Sequence, residues 1–317
     1  MTTAFISHPD TLLHIMDGSH PESPARITAI RKALADSGLD RELQQHQAPL
    51  AKDRHLLRVH SERYVQYIRS IAPQAGLVRL DPDTAMGPMS LSAALHATGA
   101  VILATDLVMA GKADNAFCCV RPPGHHAGRE RAAGFCIFNH VAAGIAHAIA
   151  EYGLERIAII DFDVHHGDGS EDIFRDNPHV MLCSTFQHPF YPGRGADSRT
   201  ERMVNVPLPA YTDGSEFRQA VEREFAPALE RFRPQMLFVS AGFDAHADDP
   251  LAQLQLETED YVWITEFILE IAQRHAQGRI VSSLEGGYAL TALAQAATAH
   301  IRTLARRKPD TLPGAAV

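Results

Sequence analysis

The chain has 317 residues, 45% of them hydrophobic and 21% charged, with a formal net charge of −9. That length supports one large α/β domain or two smaller ones. The negative balance argues against nucleic acid or an anionic membrane surface as partner, because both repel it, and leaves a cationic ligand as the better match.

The opening "MTTAFISHPD" lacks the basic and apolar regions of a signal peptide, and no run of about 18 apolar residues marks a membrane span. Cys118, Cys119, Cys136 and Cys183 form no C-x-x-C pair and no disulfide framework. Cys118 and Cys119 lie in an apolar run and read as buried thiols, and a cytoplasmic setting is expected.

In chain order, the sequence predicts a first strand near 3–6 and a helix over 22–36 with Pro24 in its first turn. An Ala/Leu-rich helix follows over 90–110, then a strand over 115–120 ("NAFCCV") and a helix over 138–151. Strands over 156–163 ("RIAIIDFD") and 180–186 ("VMLCSTF") come next. A helix over 215–230, a strand over 235–240, a helix over 258–277, a strand over 279–284 and a helix over 288–306 complete the series. The strands are continuously apolar, as expected for strands covered on both faces. Strand then helix, repeated, implies a mainly parallel sheet with right-handed crossovers, an α/β fold. No repeat or linker divides the chain, so one domain over 1–306 is expected, with 307–317 a frayed tail.

Open parallel sheets place their sites at the carboxyl ends of strands. "RPPGHHAG", "DFDVHHGDG", "SAGFDAHADDP" and "LEGGYAL" all fall at such ends. Asp163 and His165 are two apart, and on extended backbone they point the same way. With Asp244 they make an Asp-His-Asp set with a fourth position left for water or substrate, as in catalytic zinc; Fe2+ or Co2+ also suit it. The pair alone fits a strand-end ion pair equally well. A neutral histidine beside a metal-bound water is a suitable general base, which singles out His125 and His126. Each needs a partner on its other nitrogen, and Asp161 and Asp168 are available. Tyr288, after two glycines, can aim a phenol at a developing oxyanion, although a core tyrosine at a helix start fits the same residues. Gly134, Phe135, Phe190 and Tyr191 can wall a slot for an aliphatic chain such as that of lysine. His166 has no evident chemistry.

"RPPGHHA", "GFCIFNH", "DFDVHHGDG", "SAGFDAHADDPL" and "LEGGY", in this order, resemble the histone deacetylase superfamily, which includes acetylpolyamine deacetylases. "HPESPARI" at 20–27 is similar to its N-terminal loop, and the last two motifs resemble the class II and bacterial branch. The resemblance implies the arginase–deacetylase fold, a three-layer α/β domain around an eight-stranded, mainly parallel sheet. It implies zinc held by Asp163, His165 and Asp244, with His126 as general base and acid, Asp161 partnering His125 and Asp168 partnering His126. Aspartate rather than asparagine at 168 departs toward the class I pattern. Tyr288 matches the catalytic tyrosine, Phe135 and Tyr191 the tunnel aromatics, and Arg26 the arginine of an acetate-release channel. Structural potassium is implied near Asp161, Asp163, His165 and Ser184.

The implied reaction is removal of acetyl or related acyl groups from acylated amines: acetyl-lysine in proteins, acetylpolyamines or other small amines. A homo-oligomer is left open. The 74–88 loop is expected at the rim, with Asp81 or Asp83 toward substrate. Two other readings stand beside this one. "DAHAD" at 244–248 superficially resembles the motif of binuclear manganese ureohydrolases, and a non-catalytic acyl-lysine-binding module would share the pocket.

Overall fold

Strand and helix alternate along the computed structural model, which describes residues 1–306. The expected tail, 307–317, lies outside the described residues. The strands are β1 (Thr3–Ser7), β2 (Gln44–Gln47), β3 (Val78–Arg79), β4 (Ala85–Met86), β5 (Asn115–Cys118), β6 (Ile157–Asp161), β7 (Val180–Gln187), β8 (Met203–Leu208), β9 (Met236–Ala241) and β10 (Ile280–Leu284). The helices are α1 (Ala25–Asp36), α2 (Asp53–Leu56), α3 (Glu62–Ile71), α4 (Ser90–Met109), α5 (His140–Tyr152), α6 (Asp168–Phe174), α7 (Gly214–Phe232), α8 (Thr258–His275) and α9 (Leu290–Ala305).

Eight strands form one sheet in the order β2-β1-β5-β10-β9-β6-β7-β8. Every pairing in it is parallel. Side chains alternate across the sheet, and so do their partners. Phe5, Phe117 and Ile160 pack with α1, α7, α8 and α9 on one face. Ile6, Ile159 and Phe238 pack with α4 and α5 on the other. Burial on both faces explains the unbroken apolar runs; each fully buried Ile or Phe contributes about 1.5–3 kcal/mol. The α4 helix is apolar enough to cross a bilayer by length and composition, yet 72% of its most apolar window is buried within this fold.

The sequence reading missed β2, β8, the β3–β4 hairpin and α3. It also carried the sixth strand two residues too far: β6 ends at Asp161, and Asp163 and His165 lie in the loop beyond it. Strand alternation therefore does not bring these two together. The loop does, with the His165 amide donating to Asp163 Oδ1 at 2.9 Å.

Candidate active site

Asp163, His165 and Asp244 come from the loops after β6 and β9, strands that lie side by side. Their ligand atoms all fall within 4.8 Å of one another. His165 Nδ1 is 3.1 Å from Asp163 Oδ1 and 3.2 Å from Asp244 Oδ2. Burial opposes charge on His165, but the two carboxylates outweigh it and lift its pKa to about 10. Burial and Asp163 raise the Asp244 carboxyl to about 6. These groups are arranged around one positive charge, and a divalent cation supplies it better than a proton. Asp244 Oδ2 is buried with no hydrogen-bond partner, which leaves an oxygen free to coordinate. A side chain on Gly286 would put its Cβ 2.0 Å from that same oxygen. The residues present thus fit a metal ion.

The tandem histidines sit on the loop after β5. His125 Nδ1 donates to Asp161 Oδ2 at 3.0 Å, and His126 Nδ1 donates to Asp168 Oδ1 at 2.9 Å. Burial opposes charge on His125, but Asp163, Asp161 and Glu285 hold its pKa well above the ordinary imidazole range. Burial and the neighbouring His125 push His126 down to about 4, against the pull of Asp168. His126 is therefore the neutral member, with Nε2 free to accept a proton. Asp168 also receives Arg131 Nη2 at 2.6 Å. Burial opposes its ionisation, but His126 and Arg131 hold the carboxyl down at about 2.

Sequence reasoning overlooked two of these groups. One is Arg131. The other is Glu285, the acidic residue of "LEGGY", fully buried beside the histidine loop. Its Oε2 accepts from the Gly124 amide at 2.6 Å and the His125 amide at 3.1 Å. A lone carboxylate between an apolar strand and two glycines was the available signal.

A cavity of about 210 Å³ opens above these groups, lined by His125, His126, Gly134, Phe135, His165, Tyr191, Tyr288 and others. Phe135 and Tyr191 both lie at its wall. Phe190 instead stacks on the His165 ring, with centroids 5.4 Å apart, and steadies it from the side. Gly134 and Phe135 both have positive φ, 53° and 68°. Glycine at 134 avoids a collision with the His126 ring, where a Cβ would lie at 2.3 Å. The left-handed Phe135 is strained backbone at a site; its amide donates to Thr84 Oγ1 at 2.9 Å.

The β3–β4 hairpin carries the rim. Asp81 Oδ1 accepts the Asp83 and Thr84 amides at 2.9 and 2.6 Å, so its carboxylate holds the turn. Asp83 lines the cavity. Tyr288 lines the opposite wall, its amide and that of Ala289 held by Asp249 Oδ2 at 2.7 and 3.1 Å. The Arg26 guanidinium lies 5.0 Å from the centre of the Tyr288 ring. Buried completely, it donates to the Gly287 carbonyl at 2.6 Å and Glu22 Oε1 at 3.1 Å. Behind the metal-ligand loop, His166 bridges Ser184 Oγ at 3.0 Å and Glu171 Oε2 at 2.6 Å. His166 thereby ties the loop to β7 and α6. Ser184 faces Asp161 in register across β6 and β7.

The sequence profile of the histone deacetylase domain matches residues 20–304. The histone deacetylase-like amidohydrolase of Pseudomonas aeruginosa is 41% identical over 276 residues, covering 85% of this chain and 72% of that protein. Histone deacetylase 14, chloroplastic, of Arabidopsis thaliana is 35% identical over 90% of this chain and 73% of its own length. The crystal structure of the HDA15 HD domain superposes with a TM-score of 0.89 at 30% identity, covering 96% of this chain and 89% of that one. The chain belongs to the histone deacetylase family and has that family's α/β fold, its sheet of eight parallel strands carrying the tandem histidines and the Asp-His-Asp cluster at one end.

Proposed function

We propose that the protein is a zinc-dependent amidohydrolase that removes acetyl groups from acylated amines, acetyl-lysine in proteins being the favoured class. One observation carries this reading: a neutral His126 held by Asp168, the Asp163–His165–Asp244 cluster and Tyr288 meet in one cavity of about 210 Å³. Zinc held by Asp163, His165 and Asp244 supplies Lewis acidity and lowers the pKa of a bound water; Fe2+ or Co2+ would suit the same ligands.

The chain's own residues do the rest. Phe135 and Tyr191 enclose the aliphatic stem and exclude water. The Tyr288 hydroxyl donates to the amide oxygen and holds it more tightly as negative charge develops. His126 Nε2 takes a proton from the attacking water, while Nδ1–H stays on Asp168 and steadies the imidazolium. His126 then returns that proton to the departing amine. His125, held charged by Asp161, contributes positive potential at the same place.

Two features support this over a binuclear manganese hydrolase. The second metal of such a site needs bridging carboxylates. Here Asp161 and Asp168 are bonded to the histidines, and Asp248 of "DAHAD" is 77% exposed in its side chain. Acetate release from a panel of acetyl-lysine peptides and acetylpolyamines, with His126→Ala as control, tests the proposal. Release that depends on His126 and one zinc per active centre is expected. No release from any member, or activity with two manganese ions, would reject it. Binding of acylated peptides without release would favour a binding module.

A further inference from the structure

A second group of metal-ligating side chains lies away from the catalytic cavity. His8 and Asp10 follow β1, and His96 lies in the second turn of α4. Their ligand atoms also fall within 4.8 Å of one another. None of the three lines the catalytic cavity. The deacetylase profile begins at residue 20, so His8 and Asp10 lie ahead of its match.

The hydrogen bonds fix where the ring protons are. His96 Nδ1 is 2.8 Å from the Ala48 carbonyl, so Nδ1 carries a proton and Nε2 is the nitrogen turned toward Asp10. That nitrogen lies 3.7 Å from Asp10 Oδ2. His8 Nδ1 accepts the Asp10 amide at 3.1 Å, so it carries no proton, and it lies 3.5 Å from Asp10 Oδ1. A nitrogen of each imidazole therefore lies within 3.7 Å of one carboxylate in a partly buried cleft, where Ser92 Oγ also donates to Asp10 Oδ2. A backbone carbonyl on the far nitrogen, as Ala48 provides for His96, is the arrangement that orients metal-ligating histidines.

We propose that His8, Asp10 and His96 form a second divalent-metal site, with zinc as the best match for two imidazoles and one carboxylate. The side chains are 19%, 23% and 10% exposed, which lets water take the fourth position. The rings lie parallel with centroids 3.4 Å apart, so they splay as their nitrogens turn onto a shared ion. The role is structural. The ion pins the 8–14 segment to α4, and Arg121 Nη1 grips the same segment through the Thr11 and His14 carbonyls at 2.8 and 3.1 Å.

The test uses tag-free, full-length protein stripped by chelator and reloaded with zinc alone. Wild type is expected to retain two zinc ions per chain. His96→Gln and His8→Gln should each retain one and keep wild-type acetate release. Asp163→Asn/Asp244→Asn should also retain one, lost when His96→Gln is added. Circular dichroism checks folding, and His8→Gln, on a partly exposed loop, decides if His96→Gln fails to fold. A wild type that holds only one zinc would overturn the proposal, as would two zinc ions persisting in the folded variants. If a proton alone bridges these side chains, zinc uptake stays at one, and the site is refuted.

Discussion

Tyr288 is pulled two ways. Burial and the carboxylates of Asp244 and Asp163 raise its phenol pKa well above the ordinary value, while Arg26 opposes them. The hydroxyl therefore stays protonated at neutral pH and is a donor. Tyr288→Phe should lower kcat by about 10²–10³-fold while zinc content stays at the wild-type level; steady-state kinetics beside metal analysis would check it, and an unchanged kcat would remove Tyr288 from the chemistry. Glu285 acts one step back. Its removal leaves the buried Gly124 and His125 amides without an acceptor, at a cost of about 1–3 kcal/mol each. A shift of the histidine loop by about 1 Å costs on the order of 10² in rate. Glu285→Ala should therefore lose about 100-fold in kcat, and Glu285→Gln, whose amide oxygen still accepts, should lose much less. Equal kinetics for the two variants would deny Glu285 this positioning role.

Elements were legible where burial imposes a pattern, and illegible where it does not. The inner strands β5, β6, β9 and β10 are apolar on both faces and stand out in the sequence. The edge strand β2 reads "QQHQ", exposed or half-buried throughout, so hydrophobicity carries no trace of it. The other edge, β8, contains Pro207, which a central strand would not tolerate. In contrast, α3 had a readable signature: Ser61 caps it, and Tyr64, Val65 and Ile68 share a buried face. Just before it, His60 ties this region to α5. Its Nδ1–H donates to the Gly128 carbonyl at 2.9 Å, and its Nε2 accepts the Asn139 amide at 3.0 Å. The bond from Asn139 requires the neutral ring, and burial lowers its pKa to about 4. Between about pH 6.5, the unfolded value, and pH 4, the unfolded chain takes up a proton that the folded chain refuses, so stability falls on acidification. His60→Phe should be less stable at pH 7.5 by about 1–3 kcal/mol through the orphaned Asn139 amide. It should also lose less stability between pH 6.5 and 4; urea unfolding across that range measures both, and an unchanged acid slope would count against this account.

At the scale of the whole molecule, function depends on bringing residues from distant sequence positions to one end of a sheet. The sequence marks the four strand ends but not their order in space. Asp163 and Asp244 meet because β6 and β9 are neighbours, a pairing that no local motif encodes. The same topology concentrates two carboxylates beside Asp161 and Glu285 in an acidic chain of net charge −9. That density is tolerable only with positive charge among the carboxylates, namely His125 and either a proton on His165 or a metal ion in its place. Metal affinity must then appear as folding stability. At a zinc concentration one hundred times Kd, binding adds about 2.7 kcal/mol, which for a chain of this size raises Tm by about 4 °C. Chelation of the His96→Gln variant, which isolates the catalytic cluster, should lower Tm by this amount and abolish acetate release, and equimolar zinc should restore both together. Differential scanning calorimetry with parallel assays would follow them. Recovery of Tm without recovery of activity would place the stabilising ion somewhere other than Asp163, His165 and Asp244.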